Sequence, residues 1–140
     1  MRWPANPQGI TIGWGEMRLK PRDMAKIGWL YLNEGKWEGH QVIPAAWVAE
    51  STKGHVRAGT VADRYGYQWW VEKDHYMAVG SGGQFIFVAP EKNIVAVLTS
   101  AARMLDRFLK VKDLLKGYIL PSAVSTNALP ANPGEQSQLK

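Results

Sequence analysis

The chain reads as an α/β protein of the α+β kind, an antiparallel sheet of about four strands with helices against both faces. Three observations predict this. Four short apolar segments, "GYQWWVE", "HYMAVGS", "QFIFVAP" and "NIVAVLTS", follow one another between residues 66 and 100, with "GSGG" and "PEKN" as turn chemistry. Connections that short make neighbouring strands antiparallel, because a parallel return needs a crossover of a dozen residues or more. The runs "FIFV" and "IVAVL" are apolar at every position, so these strands are covered on both sides rather than wet on one. Finally, segments of helical period lie before and after the strands in the chain.

Residues 1–19 carry Gly and Pro without sustained periodicity and read as a loop that runs over another surface. "KPRDMAKIGWLYLNEG" reads as a helix, with Pro21 suited to the first turn and Asp23 near the positive helix end. Met24, Ile27 and Tyr31 share one face, Leu30 widens it, and Gly35 can close the helix. "KWEGHQVIP" resembles a short turn or hairpin, and "PAAWVAESTKG" a second short helix opened by Pro and followed by Gly.

Residues 54–65 read as a polar loop. "GYQWWVE" alternates, placing Tyr67, Trp69 and Val71 on one face and Gln68, Trp70 and Glu72 on the other. After the strands, "RMLDRFLKVKDLLKGYI" carries a stripe of Met104, Phe108, Val111, Leu115 and Ile119 that covers one sheet face. The first helices, or chain not present here, must cover the other. Residues 1–120 are taken as one domain portion and residues 121–140 as a disordered tail.

Composition narrows the function classes. With 46% hydrophobic and 21% charged residues in 140, the chain can build one modest core and is not of the disordered type. No apolar run approaches the roughly 18 residues of a membrane span. "MRWPANPQGI" has no signal-peptide apolar core, and the compartment stays open. Zero cysteines exclude disulfides, thiolate metal sites and a cysteine nucleophile. Much of the +5 net charge sits in "RMLDRFLKVKDLLK" and reads as the solvated face of a helix. No groove-reading motif accompanies it, so nucleic acid is not an expected partner. HExxH, P-loop and Rossmann fingerprints are missing, and His40, His55 and His75 lie in apparent loops without metal-ligand spacing, so no metal or cofactor is expected.

"LKPRDMAKIGWLYLNEGKWEGHQVIPAAWVAEST", "YGYQWW" and "AVGSGGQFIFVAPEKNIVAVLTS" occur in an order and spacing that resemble the C-terminal part of the β-lactamase-related serine hydrolases. That family embraces class C β-lactamases, penicillin-binding proteins, related esterases and 6-aminohexanoate-dimer hydrolases. The resemblance runs from about residue 9 to about residue 119, and the Gly-x-Gly-Gly-Gln form is most similar to the esterase and amide-hydrolase branch. It implies a partial β-lactamase/transpeptidase-like fold and three motifs. These are a Ser-x-x-Lys nucleophile pair, a Tyr-x-Asn or Tyr-x-Ser proton shuttle, and a strand, often Lys-Thr-Gly, beside an oxyanion-hole N–H.

By the resemblance, only the third motif maps here. Ala78-Val79-Gly80-Ser81 takes the place of the Lys-Thr-Gly strand and the residue after it. Ala78 replaces the lysine and Gly82 the frequent histidine, which removes a partner for the carboxylate of a β-lactam and favours an ester or amide as the small-molecule substrate. The backbone N–H of Ser81 is the expected oxyanion donor, with Gly82 or Gly83 as neighbouring alternatives and Gly80 in the same loop; a plain glycine hairpin is the ordinary alternative. Tyr67, Trp69, Trp70 and Gln84 are candidate substrate contacts. Alternation lets only one of Trp69 and Trp70 face a pocket, and core packing of the pair is the favoured outcome.

Two literal matches lie in the wrong places. Tyr31-Leu32-Asn33 spells Tyr-x-Asn on an apolar helix face, and Ser137-Gln138-Leu139-Lys140 spells Ser-x-x-Lys in the tail. Lacking nucleophile and base, the chain is expected to be a C-terminal fragment, inactive alone, of a serine hydrolase. Two rivals stand beside this: a non-catalytic module binding a polymer or glycan through its aromatics, and a subunit completed by another chain. Exposed apolar sheet surface would favour self-association.

Overall fold

A computed structural model describes residues 1–59, 61–100 and 110–124. Residues 1–19 form no strand; the bridges Arg2 to Arg18 and Ala5 to Thr11 fold the segment back on itself. Helix α1 (Pro21–Leu32) follows, and the Gly35 N–H donates to the Leu30 carbonyl at 2.7 Å with Gly35 at φ +83°, the stop expected from its glycine. The hairpin β1 (Lys36–Trp37) and β2 (His40–Gln41) turns on Glu38 and Gly39, both at positive φ. His40 therefore lies in a strand, not a loop. Helix α2 (Ala45–Ser51) starts after Pro44.

The main sheet has six strands rather than about four. They are β3 (Val56–Arg57), β4 (Arg64–Tyr65), β5 (Trp70–Val71), β6 (Tyr76–Gly80), β7 (Gln84–Ala89) and β8 (Ile94–Leu98). Spatial order follows chain order and each neighbour is antiparallel, the meander that the short turns impose. The two additional strands lie inside the segment read as a polar loop. At two residues each they carry no alternation to detect; β4 becomes a strand by pairing with β5, and β3 by pairing with β4. The stretch expected to alternate from residue 66 is broken by Gln68 at φ +66°, so β5 begins only at Trp70.

Strand β7 is the centre of the core. Phe85 and Phe87 point to one face with Met77, Ala89, Ala62 and Leu115; Ile86 and Val88 point to the other with Met24, Trp69 and Tyr76. The second face is covered by α1, whose Met24, Ile27 and Tyr31 pack there as the helical stripe predicts, joined by Leu19 and Leu32 rather than Leu30. Gly28 lets α1 approach: a Cβ at this position would lie 2.5 Å from Val95 Cγ1 and 3.0 Å from Ile86 Cγ2. The first face is covered by α3, the helical segment of residues 110–122, which contains a π-turn at Leu115–Ile119. Val111, Leu115 and Ile119 pack as expected, whereas Met104 and Phe108 lie outside the described residues. So does the expected tail beyond its first four residues, of which Pro121 and Ser122 continue α3.

An ion pair fastens α3 to the sheet. The Lys112 Nζ donates to Glu72 Oε1, Lys116 stands 3.9 Å from the same oxygen, and the Glu72 side chain is 9% exposed. Burial by itself would raise the Glu72 carboxyl, but the Lys112 hydrogen bond and charge, aided by Lys116 and His75, hold it below the usual carboxylate value. His75 is buried against Phe87 and makes a 2.6 Å hydrogen bond to Asp74. Its burial outweighs the carboxylate and pushes its pKa down, so the neutral ring donates from Nδ1 to Asp74 at neutral pH.

Candidate functional site

The loop joining β6 to β7 is a three-residue connection closed by the Gly80–Gln84 pair. The Gly83 N–H donates to the Gly80 carbonyl at 3.0 Å and Gly83 sits at φ +85°, which gives a tight turn followed by one left-handed residue. Gln84 folds back over this turn. Its Oε1 accepts from the Gly82 N–H at 3.1 Å and its Nε2 donates to the Ser100 carbonyl at 3.1 Å. The Ser100 hydroxyl in turn lies 3.3 Å from the Gly82 carbonyl and 3.2 Å from that of Gly83.

The glycines make room for this carboxamide. A Cβ on Gly80 would lie 2.6 Å from Gln84 Oε1, and one on Gly82 would lie 2.6 Å from Gln84 Nε2. Of the three expected donors, the Gly82 and Gly83 N–H groups are thus engaged within the loop. The N–H of Ser81, an exposed residue, makes no hydrogen bond among the described residues.

The aromatic candidates separate. Trp69 is 4% exposed and enclosed by Tyr31 at 4.5 Å and Tyr76 at 5.1 Å between ring centroids, so it is a core ring. Burial and the nearby Tyr31 raise the Tyr76 hydroxyl, which stays protonated. Trp70 is half-buried on the opposite face, with its ring 4.7 Å from that of Tyr65 and its side chain against the α3 cluster. Tyr67 departs from the expected alternation. It is 49% exposed and stacks at 5.4 Å and 3° on Trp47, with His55 at 4.6 Å. Tyr31, the literal Tyr-x-Asn residue, belongs to the α1 core face as its helical position requires.

Ser100 is the participant that sequence reasoning missed. Its signal was the register: Phe85 opposes Leu98, so continuing the antiparallel pairing by two residues sets Gly83 against Ser100. Two surface hollows, of 660 Å³ beside Trp29 and Lys36 and of 330 Å³ beside Asp74 and Glu91, are not lined by residues 80–84. Among the described residues there is no group of His, Asp and Glu that could hold a metal, and no helix long and apolar enough to cross a membrane.

An antiparallel meander sandwiched by α1 and α3, with a glycine loop at one strand end, defines an α+β protein with a partial β-lactamase-like fold. The chain belongs to the β-lactamase family, whose sequence profile, described as "Beta-lactamase", matches residues 1–115. No curated protein sequence matches it. Among solved structures it is similar to one described as "Putative 6-aminohexanoate-dimer hydrolase from Bacillus anthracis", at 24% identity and a TM-score of 0.66 over 86% of this chain. The chain spans 33% of the length of that protein.

Proposed function

We propose that this chain is the C-terminal, oxyanion-side portion of a serine hydrolase that cleaves a small ester or amide through an acyl-enzyme, and that it is inactive alone. The observation that carries this is the β6–β7 loop: a backbone N–H at Ser81 that is unbonded among the described residues, held between engaged neighbours at the strand end to which the resemblance assigns the third motif. In the acyl-transfer mechanism a serine hydroxyl attacks the carbonyl carbon and forms a tetrahedral oxyanion. Preorganised N–H donors stabilise it while the C–O or C–N bond breaks, and water then releases the acid. Ser81 acts through its backbone; its hydroxyl is not the nucleophile. Nucleophile, lysine and tyrosine come from a segment carrying Ser-x-x-Lys and Tyr-x-Asn or Tyr-x-Ser. Ala78 at the lysine position of the third motif disfavours β-lactam carboxylates and leaves neutral esters and amides as the substrate class. Of the aromatic candidates, Tyr67 is the one whose ring is exposed, which supports it over the core ring Trp69 as a substrate contact.

Exposed Ile10, Trp14 and Trp29 support a surface that is covered in the complete enzyme and that favours self-association without it. The test is to treat the purified chain with p-nitrophenyl esters and a fluorophosphonate probe, and to read the DNA preceding the Met1 codon. No saturable turnover, no serine labelling and an in-frame Ser-x-x-Lys upstream are expected. Labelling at one serine of this chain would overturn the proposal of inactivity, and light scattering showing a monodisperse monomer would count against the uncovered surface.

A further inference from the structure

We infer that Gln84 and Ser100 are positioning residues: together they clamp the β6–β7 loop so that the Ser81 N–H is held rigid while remaining free to donate. The inference rests on the serine-hydrolase reading for its purpose, but not for its geometry. A Gly-Ser-Gly-Gly connection would otherwise be among the most mobile stretches of backbone, since three of its four residues lack a Cβ. The clamp removes that freedom from two sides. From β7, the Gln84 carboxamide takes the Gly82 N–H through its oxygen and reaches the Ser100 carbonyl through its nitrogen, both at 3.1 Å. From beyond the end of β8, the Ser100 hydroxyl reaches the Gly82 and Gly83 carbonyls at 3.3 and 3.2 Å, its one proton shared between them.

With Gly83 N–H closed onto Gly80, both polar groups of Gly82 and Gly83 are occupied. Among the described residues, the Ser81 N–H is left over between tethered neighbours. An oxyanion donor needs that combination, because a donor already satisfied has nothing to offer and a mobile one must be ordered during the reaction. Gly80 and Gly82 have a second role here, since a side chain at either would displace the carboxamide. Gln84 is therefore assigned to hold the donor in place rather than to touch substrate.

The test uses the full chain labelled with 15N. In the unmodified protein, Gly82 should exchange its amide slowly, and Ser81 should exchange fast yet show the order parameter of rigid backbone, about 0.85. Gln84→Ala should accelerate Gly82 exchange by about tenfold or more and lower the Ser81 order parameter below about 0.6. Met77 and Phe87 in the core should keep their exchange rates, which a general loss of stability would not allow. Gln84→Glu keeps the acceptor for Gly82 but cannot donate to Ser100, so it should protect Gly82 partly; Ser100→Ala should loosen Gly82 and Gly83 and stands in if Gln84→Ala does not fold. A Ser81 amide already mobile in the unmodified chain, or unchanged values in Gln84→Ala, would overturn the inference. Serine labelling by the fluorophosphonate would instead defeat the inactivity reading and leave the clamp measurement intact.

Discussion

Replacing Gly28 by valine tests how the helix layer is seated on the strands that carry the loop. Gly28 is buried where α1 crosses β7 and β8, and the Cβ alone would lie 2.5 Å from Val95 Cγ1, 3.0 Å from Ile86 Cγ2 and 3.5 Å from Val88 Cγ2. The first of these is roughly 1 Å short of ordinary contact, and valine adds two further methyl groups, so α1 must lift or β8 must yield. Overpacking of this kind costs about 1–3 kcal/mol. Leaving glycine in a helix interior returns about 0.3 kcal/mol in propensity for valine, too little to reverse the sign. A net loss of about 1–3 kcal/mol is expected, and for a domain of this size it lowers Tm by about 4–12 °C. Urea unfolding followed by far-UV circular dichroism measures it, with the m-value constant so that the midpoint reports stability. Gly117→Ala is the control: nothing lies within 4 Å of a Cβ there, so it should be neutral or stabilising by up to about 1 kcal/mol. A Gly28→Val midpoint at or above that of the unmodified chain would refute close seating of α1.

Glu72→Gln should destabilise by about 1–3 kcal/mol at pH 7, between the exposed-pair and buried-pair ranges, because it keeps an acceptor oxygen for Lys112 but removes the carboxylate charge that faces Lys112 and Lys116. Since the folded-state pKa of Glu72 is lowered, the stability it contributes is present above the unfolded carboxyl value of about 4.3 and is lost as pH falls through the folded value. The difference between the two proteins should therefore shrink below about pH 4 in a pH series of urea midpoints, and a constant difference would exclude the ion pair as its source. Trp69→Phe should remove the blue-shifted, acrylamide-protected part of the tryptophan emission, while Trp14, 76% exposed, contributes to the quenchable part. Uniformly quenchable emission would favour a binding module that displays its aromatics over the core roles assigned to them.

Much of the fold was legible locally. The α1 stripe of Met24, Ile27 and Tyr31, the Gly35 stop, the β1–β2 hairpin and the order of β5 to β8 all depend on neighbours a few residues apart, where helical period and turn chemistry act. The glycine loop was legible for the same reason, and so was Tyr31 as a core ring. What escaped was decided by contacts between distant residues. Strands β3 and β4 are too short to carry a pattern and exist because β5 offers hydrogen bonds to β4, and β4 in turn to β3. Tyr67 left its expected face because Gln68 adopts a left-handed conformation and Trp47 supplies a ring to stack upon. The sequence by itself determined an antiparallel meander with helical cover and a glycine turn at one strand end. The tertiary structure alone decided which N–H groups of that turn are occupied, because Gln84 and Ser100 are 16 residues apart and meet only through the register of β7 with β8. Side-chain hydrogen bonds of that span follow from backbone pairing, which no local run of residues encodes.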